Sequence, residues 1–79
     1  MGATVVGLDA EGDVELAAAD LTRPTVLVVG SEGRGLRRGV RRACTTVARL
    51  PMGGPIGSLN ASVAVAIALY EARRQRHAT

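Results

Sequence analysis

The sequence predicts an α/β fold with a parallel sheet, and three observations support this. Runs rich in β-branched residues alternate with helix-type segments in the order β, α, β, α, β, α. Residues 25–29 (TVLVV) are apolar without alternation, which is typical of a strand covered on both faces of a parallel sheet. Two glycine-framed segments, residues 26–36 and 50–62, each run from a strand toward a helix. Such turns at the carboxyl ends of strands are where α/β proteins bind nucleotides.

The first half of the chain predicts a strand, a short helix and a second strand. Residues 3–8 (ATVVGL) form the first strand, which a turn at residues 9–12 ends. Residues 14–21 contain enough Leu, Ala and Val for a short helix. Pro24 then interrupts the chain before the strand at residues 25–29.

The second half predicts a helix, a strand and the longest helix of the chain. An arginine-rich helix covers residues 36–43, and a strand covers residues 45–50. Residues 52–57 hold three Gly and one Pro, too many for regular structure. The helix at residues 60–76 is apolar nearly all round, which implies burial on more than one side. The sheet can cover one side, and a partner subunit or a missing part of the protein the other.

Length and composition predict a single small domain with a thin core. A chain of 79 residues lies near the lower limit for an adequate core. The sequence is 47% hydrophobic, yet Tyr70 is its one aromatic residue, so the core must consist of small aliphatic side chains. Such side chains bury little area each, which suggests that the chain belongs to something larger or is an obligate oligomer.

Charge is distributed unevenly along the chain. All ten basic residues are arginine, whose planar fork of donors suits phosphate groups. Residues 1–32 carry six acidic residues and one arginine, a net charge of −5, and residues 33–79 carry nine arginines and one glutamate, a net charge of +8. A basic second half is what an RNA- or DNA-facing surface needs, although a solvated helix face gives the same pattern.

Several function classes are not predicted by this sequence. Cys44 is the only cysteine, so an internal disulfide and a cysteine-based metal site are excluded, and packing is the preferred interpretation of its thiol. His77 is the only histidine and lies near the end of the chain, so neither a metal site nor histidine-based catalysis is expected. Residues 1–25 lack a signal-peptide pattern, and the longest apolar run, residues 63–70, is too short to cross a bilayer. We therefore expect a cytoplasmic protein.

The first glycine-framed segment, GSEGRG, fits neither common nucleotide motif. A phosphate-binding P-loop needs a lysine, which the chain lacks. The spacing GxxGxG differs from the dinucleotide fingerprint GxGxxG, and Glu32 would place a carboxylate where a pyrophosphate should lie. A tight turn that needs glycine at positive φ remains an alternative.

The second segment predicts a pocket for an adenine and a ribose. Its glycines leave backbone donors and acceptors unobstructed, and Leu50, Ile56 and Leu59 can supply apolar walls. Ser58 and Asn60 are both suited to capping the following helix, but capping accounts for only one of them.

These two segments carry a family resemblance. VLVVGSEGRGL and LPMGGPIGSLNASVAVAIALYEA resemble the second and third motifs of the SpoU (TrmH-like) RNA ribose 2′-O-methyltransferases of the SPOUT superfamily. Residues 4–10 resemble the preceding strand of the bacterial 23S rRNA guanosine-2′-O-methyltransferase branch. The match runs from Thr4 to Arg76, with Leu50 where isoleucine is usual and Ala61 where valine is usual.

The resemblance implies a fold, a cofactor and partners. The family fold is an α/β domain with a deep trefoil knot, a rare exception to the rule against threading. The resemblance further implies S-adenosyl-L-methionine as cofactor, rRNA or tRNA as substrate, and no metal. It also implies a homodimer formed through the C-terminal alanine-rich helix and the knot region. The implied cofactor contacts are Gly30, Leu50, Met52, Ile56 and Leu59; the implied catalytic residues are Glu32, Ser58 and Asn60; the implied RNA contacts are Arg34, Arg37, Arg38, Arg41 and Arg42.

One departure from the family pattern limits this expectation. Family members carry a first motif, with an asparagine and an arginine that assists activation of the 2′-hydroxyl, before the strands present here. Nothing in residues 1–23 resembles it. Residues 1–79 are therefore expected to be the C-terminal half of a methyltransferase domain, without methyl transfer on their own. The alternatives are an adenosine-nucleotide or NAD-binding module and a non-catalytic dimerisation module.

Overall fold

The computed structural model describes residues 2–30, 36–50 and 61–77. Within these ranges the chain forms four strands, two α-helices and one turn of 3₁₀ helix. The strands are β1 (Thr4–Leu8), β2 (Val14–Glu15), β3 (Thr25–Val29) and β4 (Thr46–Arg49). The α-helices are α1 (Arg38–Ala43) and α2 (Ala61–Arg76), and the 3₁₀ helix covers Leu16–Ala18.

The four strands form one parallel sheet, so the predicted fold class is confirmed. Their order across the sheet is β2-β4-β1-β3, and every described pairing is parallel. Val6 of β1 lies opposite Leu27 of β3 on one side and opposite Thr46 of β4 on the other. Strands β1, β3 and β4 therefore end at the same edge of the sheet. We call this the carboxyl edge and define it by the residues that follow the three strands, Asp9, Gly30 and Leu50.

The core is built from small and medium aliphatic side chains, as the composition predicts. Strand β1 contributes Val6 and Leu8, and the segment between β2 and β3 contributes Leu21, which is fully buried. Helix α2 packs on β3 and on the 3₁₀ helix, and Ala64 and Ala68 are its buried residues in the core. Because alanine is short, the helix can approach the sheet closely, at the cost of little buried area per residue.

The predicted short helix at residues 14–21 is wrong. Val14 and Glu15 instead pair with Ala48 and Arg49 of β4, and only one turn of 3₁₀ helix follows. The Leu21 N–H donates to Gln75 Oε1 at 2.8 Å rather than to a helical carbonyl. Tertiary partners thus take the backbone groups that a helix would have used, and they override a modest local propensity.

The strand at residues 25–29 has the predicted bounds but a different environment. Within the described sheet β3 is an edge strand, and Val26 is 49% exposed. The interior positions belong to β1, between β3 and β4, and to β4, between β1 and β2. An apolar run without alternation indicates a strand of a parallel sheet, but the place of that strand in the sheet depends on long-range pairing.

The remaining boundaries differ from the predictions by one or two residues. Helix α1 begins at Arg38 rather than at residue 36, and β4 covers Thr46–Arg49 rather than residues 45–50. The predicted caps of α2, Ser58 and Asn60, lie outside the described residues. Neither α-helix that the structure describes has the length and apolar character needed to cross a membrane.

Among residues 2–30, 36–50 and 61–77, burial of α2 on more than one side is not found. Ala64 and Ala68 are buried, whereas Val63, Ile67, Leu69 and Tyr70 are exposed. The apolar residues that the sequence shows around this helix thus include a surface that the described part of the chain leaves uncovered.

Candidate functional site

The candidate site lies at the carboxyl edge of the sheet. Gly30 follows β3 and Leu50 follows β4, and these strands flank β1 on its two sides. Both residues are half-buried, and both are predicted cofactor contacts. The parallel pairing therefore brings one end of each glycine-framed segment to the same edge, where α/β proteins bind nucleotides.

Several predicted site residues cannot be placed in this geometry. Glu32, Arg34, Met52, Ile56, Ser58, Leu59 and Asn60 all lie outside the described residues. Their roles stay predictions from the sequence.

Asp9, at the end of β1, is the most connected side chain described at this edge. Its Oδ1 accepts the Glu11 N–H at 2.8 Å, and its Oδ2 accepts the Leu36 N–H at 2.8 Å. Arg41 Nη1 lies 3.7 Å from Oδ2, and the Asp9 side chain is only 12% exposed. Asp9 thus joins the end of the central strand to the segment that precedes α1.

The pKa of Asp9 reflects these contacts. Burial alone would raise it, but the N–H donors of Leu36 and Glu11 and the charge of Arg41 outweigh burial and lower the pKa below its ordinary value. The carboxylate is therefore ionised at neutral pH and keeps both oxygens available as acceptors.

The sequence predicts Asp9 only as a turn residue. An acidic residue followed by Ala-Glu-Gly favours a turn, and the Gly12 N–H does donate to the Asp9 carbonyl at 3.0 Å. The contact with Leu36 joins residues 27 positions apart. No pattern in the sequence around Asp9 predicts a contact with Leu36.

Arg41, a predicted RNA contact, makes several contacts with the turn between β1 and β2. Its Nη2 donates to the Glu11 carbonyl at 3.0 Å and lies 3.3 Å from Asp13 Oδ1. With the contact to Asp9, these interactions direct the guanidinium toward the protein itself. Its contact with RNA stays a prediction.

Arg37, Arg38 and Arg42 are exposed and give α1 a basic surface. Arg38 and Arg42 are four residues apart, so they share a face of the helix. Planar guanidinium groups on one face are suited to phosphate oxygens of a nucleic acid.

Below the carboxyl edge, Leu36 and Cys44 pack against bare backbone of β1. A Cβ at Gly7 would lie 2.5 Å from Leu36 Cδ1 and 2.8 Å from Cys44 Sγ. Cys44 is half-buried, and its thiol donates to the Val40 carbonyl at 3.3 Å. The side chain therefore contributes to packing between α1 and the sheet.

Among residues 2–30, 36–50 and 61–77, no group of His, Cys, Asp and Glu side chains is arranged to hold a metal ion. The arrangement at the carboxyl edge instead offers backbone groups and nearby aliphatic side chains. Such a surface is suited to a polar organic ligand with an apolar ring.

Comparison with known proteins identifies relatives over nearly the whole chain. The model of the SpoU rRNA Methylase family matches residues 1–70. A 23S rRNA (guanosine-2'-O-)-methyltransferase, RlmB, of Pseudomonas syringae is 51% identical over 77 residues, which cover 98% of this chain and 31% of that protein. An uncharacterized tRNA/rRNA methyltransferase of Mycolicibacterium smegmatis is 56% identical over 75 residues, which cover 95% of this chain and 24% of that protein.

Solved structures agree with the sequence relatives. The SpoU methyltransferase AviRb from Streptomyces viridochromogenes, in complex with the cofactor AdoMet, matches with a TM-score of 0.90 and 40% identity, over 99% of this chain and 31% of AviRb. The TrmH/SpoU tRNA modifying enzyme of A. aeolicus matches with a TM-score of 0.85 and 40% identity, over 98% of this chain and 40% of that enzyme. The chain thus spans about a quarter to two fifths of the length of these relatives.

Proposed function

Because the chain belongs to the SpoU rRNA methylase family, we propose that it supplies the cofactor-binding part of an RNA ribose 2′-O-methyltransferase. The proposal rests on one observation: Gly30 and Leu50 lie at the same carboxyl edge of the sheet, on the two sides of β1. The backbone of the chain as a whole matches that of AviRb, whose structure holds AdoMet, with a TM-score of 0.90.

The described residues fit S-adenosyl-L-methionine. Gly30 has no side chain to obstruct the backbone groups after β3, and Leu50 offers an apolar surface after β4. In our proposal Met52, Ile56 and Leu59 complete the contacts with the adenosine and the methionine part. When bound, S-adenosyl-L-methionine supplies a methyl group on a positively charged sulfur.

The proposed roles of the polar residues follow from the chemistry of the acceptor. A ribose 2′-hydroxyl is a weak nucleophile, so it must be aligned in line with the methyl–sulfur bond and lose its proton. Ser58 and Asn60 would orient the hydroxyl by hydrogen bonds, and Glu32 would hold the geometry of its segment or accept a proton. These assignments come from the motif positions of the three residues.

Two relatives suggest the substrate. The RlmB relative acts, by its name, on 23S rRNA guanosine, and we propose rRNA as the substrate of the whole protein. The A. aeolicus relative is a tRNA modifying enzyme, so tRNA is the alternative substrate. Exposed Arg38 and Arg42 on α1 and Arg37 at its N-terminal cap, with Arg34, are proposed to contact phosphates in either case.

We also propose two features of the assembled protein. One is the trefoil knot of the family, formed in the part of the chain that contains the second glycine-framed segment. The other is a homodimer, supported by the exposed apolar side chains of α2. A partner copy covering them would explain why an outward-facing helix carries leucine, isoleucine and valine.

The cofactor proposal is tested by titrating the chain with S-adenosylhomocysteine and with NAD in parallel by calorimetry. We expect weak binding of S-adenosylhomocysteine and no heat from NAD. A preference for NAD would instead favour an adenosine-nucleotide module without methyl transfer.

Methyl transfer is tested with isotopically labelled S-adenosyl-L-methionine and 23S rRNA. The 77 matched residues cover 31% of RlmB, so we expect no transfer by the purified 79-residue protein. Labelled RNA in this assay would show that these residues suffice for catalysis and would contradict the expectation.

A further inference from the structure

We propose that Asp9 is a positioning residue, which holds the end of the first glycine-framed segment at the carboxyl edge; the inference rests on the proposed cofactor site. Its Oδ2 accepts the Leu36 N–H at 2.8 Å, and Leu36 is the last residue of that segment. The segment leaves β3 after Val29, which pairs with Leu8 of β1. The two ends of the segment are therefore both fixed to the end of β1, one by strand pairing and one by the Asp9 carboxylate.

The carboxylate is itself oriented by its surroundings. Its Oδ1 accepts the Glu11 N–H, and Arg41 Nη1 of α1 lies 3.7 Å from its Oδ2. Glu11 and Asp13 are the acidic groups of the same turn, and Asp13 shares Arg41. With both oxygens engaged, an ionised aspartate fits this place, whereas an amide would turn a donor toward one of the two N–H groups.

Position matters here because Glu32, a proposed active-site residue, lies between the two fixed ends in sequence. A misplacement of about 1 Å in a catalytic or positioning group can lower a reaction rate by about a hundredfold. Leu36 also packs on Gly7 of β1. Its backbone N–H thus contacts Asp9, which follows β1, and its side chain contacts β1 itself. Asp9 would thus act on the ligand through the segment, without touching the ligand.

The chain offers a matched control in Asp20. Its Oδ1 accepts the N–H and the hydroxyl of Thr22, at 3.0 and 2.5 Å, and Arg23 lies 3.6 Å from Oδ2. Asp20 therefore has the same local chemistry as Asp9, but it precedes β3 and makes no described contact with either glycine-framed segment. Asp20→Asn therefore measures the effect of removing a comparable turn carboxylate, without a change at the carboxyl edge.

The experiment compares Asp9→Asn with Asp20→Asn in the 79-residue protein. We expect Asp9→Asn to weaken binding of S-adenosylhomocysteine by about tenfold and to shift the amide resonances of residues 30–36 in ¹⁵N–¹H spectra. Asp20→Asn should leave both close to the wild type. Unchanged resonances in Asp9→Asn, or equal effects of the two variants, would overturn the inference.

Arg41→Gln keeps the inference testable if Asp9→Asn does not fold. It retains the carboxylate but removes a charge that orients it, so we expect smaller shifts of the same resonances. Absence of any shift there would count against the inference. If the wild type binds no S-adenosylhomocysteine, the proposed cofactor site fails, while the amide resonances still decide whether Asp9 positions the segment.

Discussion

Gly12 shows at the residue scale why one position tolerates no side chain. Its N–H closes the turn after β1, its carbonyl accepts Arg49 Nη1 at 3.0 Å, and the residue is buried. A Cβ there would lie 2.5 Å from the Arg49 nitrogen and 2.8 Å from the Ala48 carbonyl oxygen. These are backbone atoms of β4, which cannot move aside without disturbing the sheet.

We predict that Gly12→Ala lowers the free energy of unfolding by about 1–3 kcal/mol, because the added methyl group overpacks the β4 backbone. Gly39→Ala is the control: nothing lies within 4 Å of a Cβ there, and helix α1 should gain about 0.5–1 kcal/mol. Urea denaturation followed by circular dichroism measures both changes. Equal stabilities of Gly12→Ala and the wild type would contradict the prediction.

Helix α2 shows at the element scale how side chains at one helix end can organise a distant loop. Gln75 accepts the Leu21 N–H at 2.8 Å and donates to the Ala19 carbonyl at 2.9 Å. Arg76 donates to the Leu21 carbonyl at 2.9 Å and to the Arg23 carbonyl at 2.8 Å. The loop before β3 therefore finds its hydrogen-bond partners on α2, which is why it does not need to be helical.

Glu71 completes this end of α2. Its carboxylate accepts two hydrogen bonds from Arg74, at 2.8 and 2.7 Å, and one from Gln75 Nε2 at 2.9 Å. The hydrogen bonds from Arg74, followed by that from Gln75, lower the pKa of Glu71 from an ordinary 4.5 to about 2. The carboxylate thus also orients the Gln75 amide toward the loop.

A dependence of stability on pH follows from the lowered pKa of Glu71. Its contribution is present in full above the ordinary pKa of 4.5 and is lost as the pH falls through about 2. We predict that Glu71→Gln lowers the unfolding temperature at pH 7, and that the difference from the wild type shrinks toward zero near pH 2. The effect is modest because Arg74 is half-exposed to solvent.

Thermal unfolding at pH 7, 4 and 2.5 measures the effect of Glu71→Gln. Glu15→Gln serves as the control, since the Glu15 carboxylate lies 4.0 Å from Arg49 and is 60% exposed. It should change the unfolding temperature at pH 7 by less than Glu71→Gln does. A Glu71→Gln effect of the same size at every pH would disprove the assignment.

At the scale of the whole molecule, the exposed apolar side of α2 is the feature that indicates a protein partner. Leu69 is 57% exposed and Tyr70 is 71% exposed, while the core beneath the helix is reached by alanines. Small domains with thin aliphatic cores commonly gain stability from oligomerisation. The exposed side chains are therefore consistent with the proposed homodimer.

We predict that Leu69→Glu abolishes dimerisation without unfolding the monomer, because Leu69 makes no contribution to the buried core. Arg38→Glu adds the same side chain at an exposed position of the other helix, α1, and should leave the dimer intact. Sedimentation velocity over a range of concentrations measures the association. A wild type that sediments as a monomer at every concentration would refute the homodimer.

Only part of the candidate site can be predicted from the sequence. Gly30 and Leu50 could be predicted to share an edge, because glycine-framed segments after parallel strands converge there. Asp9 could not be recognised as more than a turn residue, since its contact with Leu36 depends on how α1 packs. The family resemblance implies that Arg41 faces RNA, whereas its contacts with Glu11 and Asp13 depend on the fold.

The sequence by itself determined the strand at Thr25–Val29, most of α2 and the family, because these depend on local residue patterns and on motif identity. Only the tertiary structure decided the strand order β2-β4-β1-β3, the exposed edge at β3 and the non-helical path of residues 14–21. The physical reason is the range of the interactions. Backbone groups that a local pattern would assign to a helix bond instead to partners such as Gln75, which lies 54 positions away from Leu21.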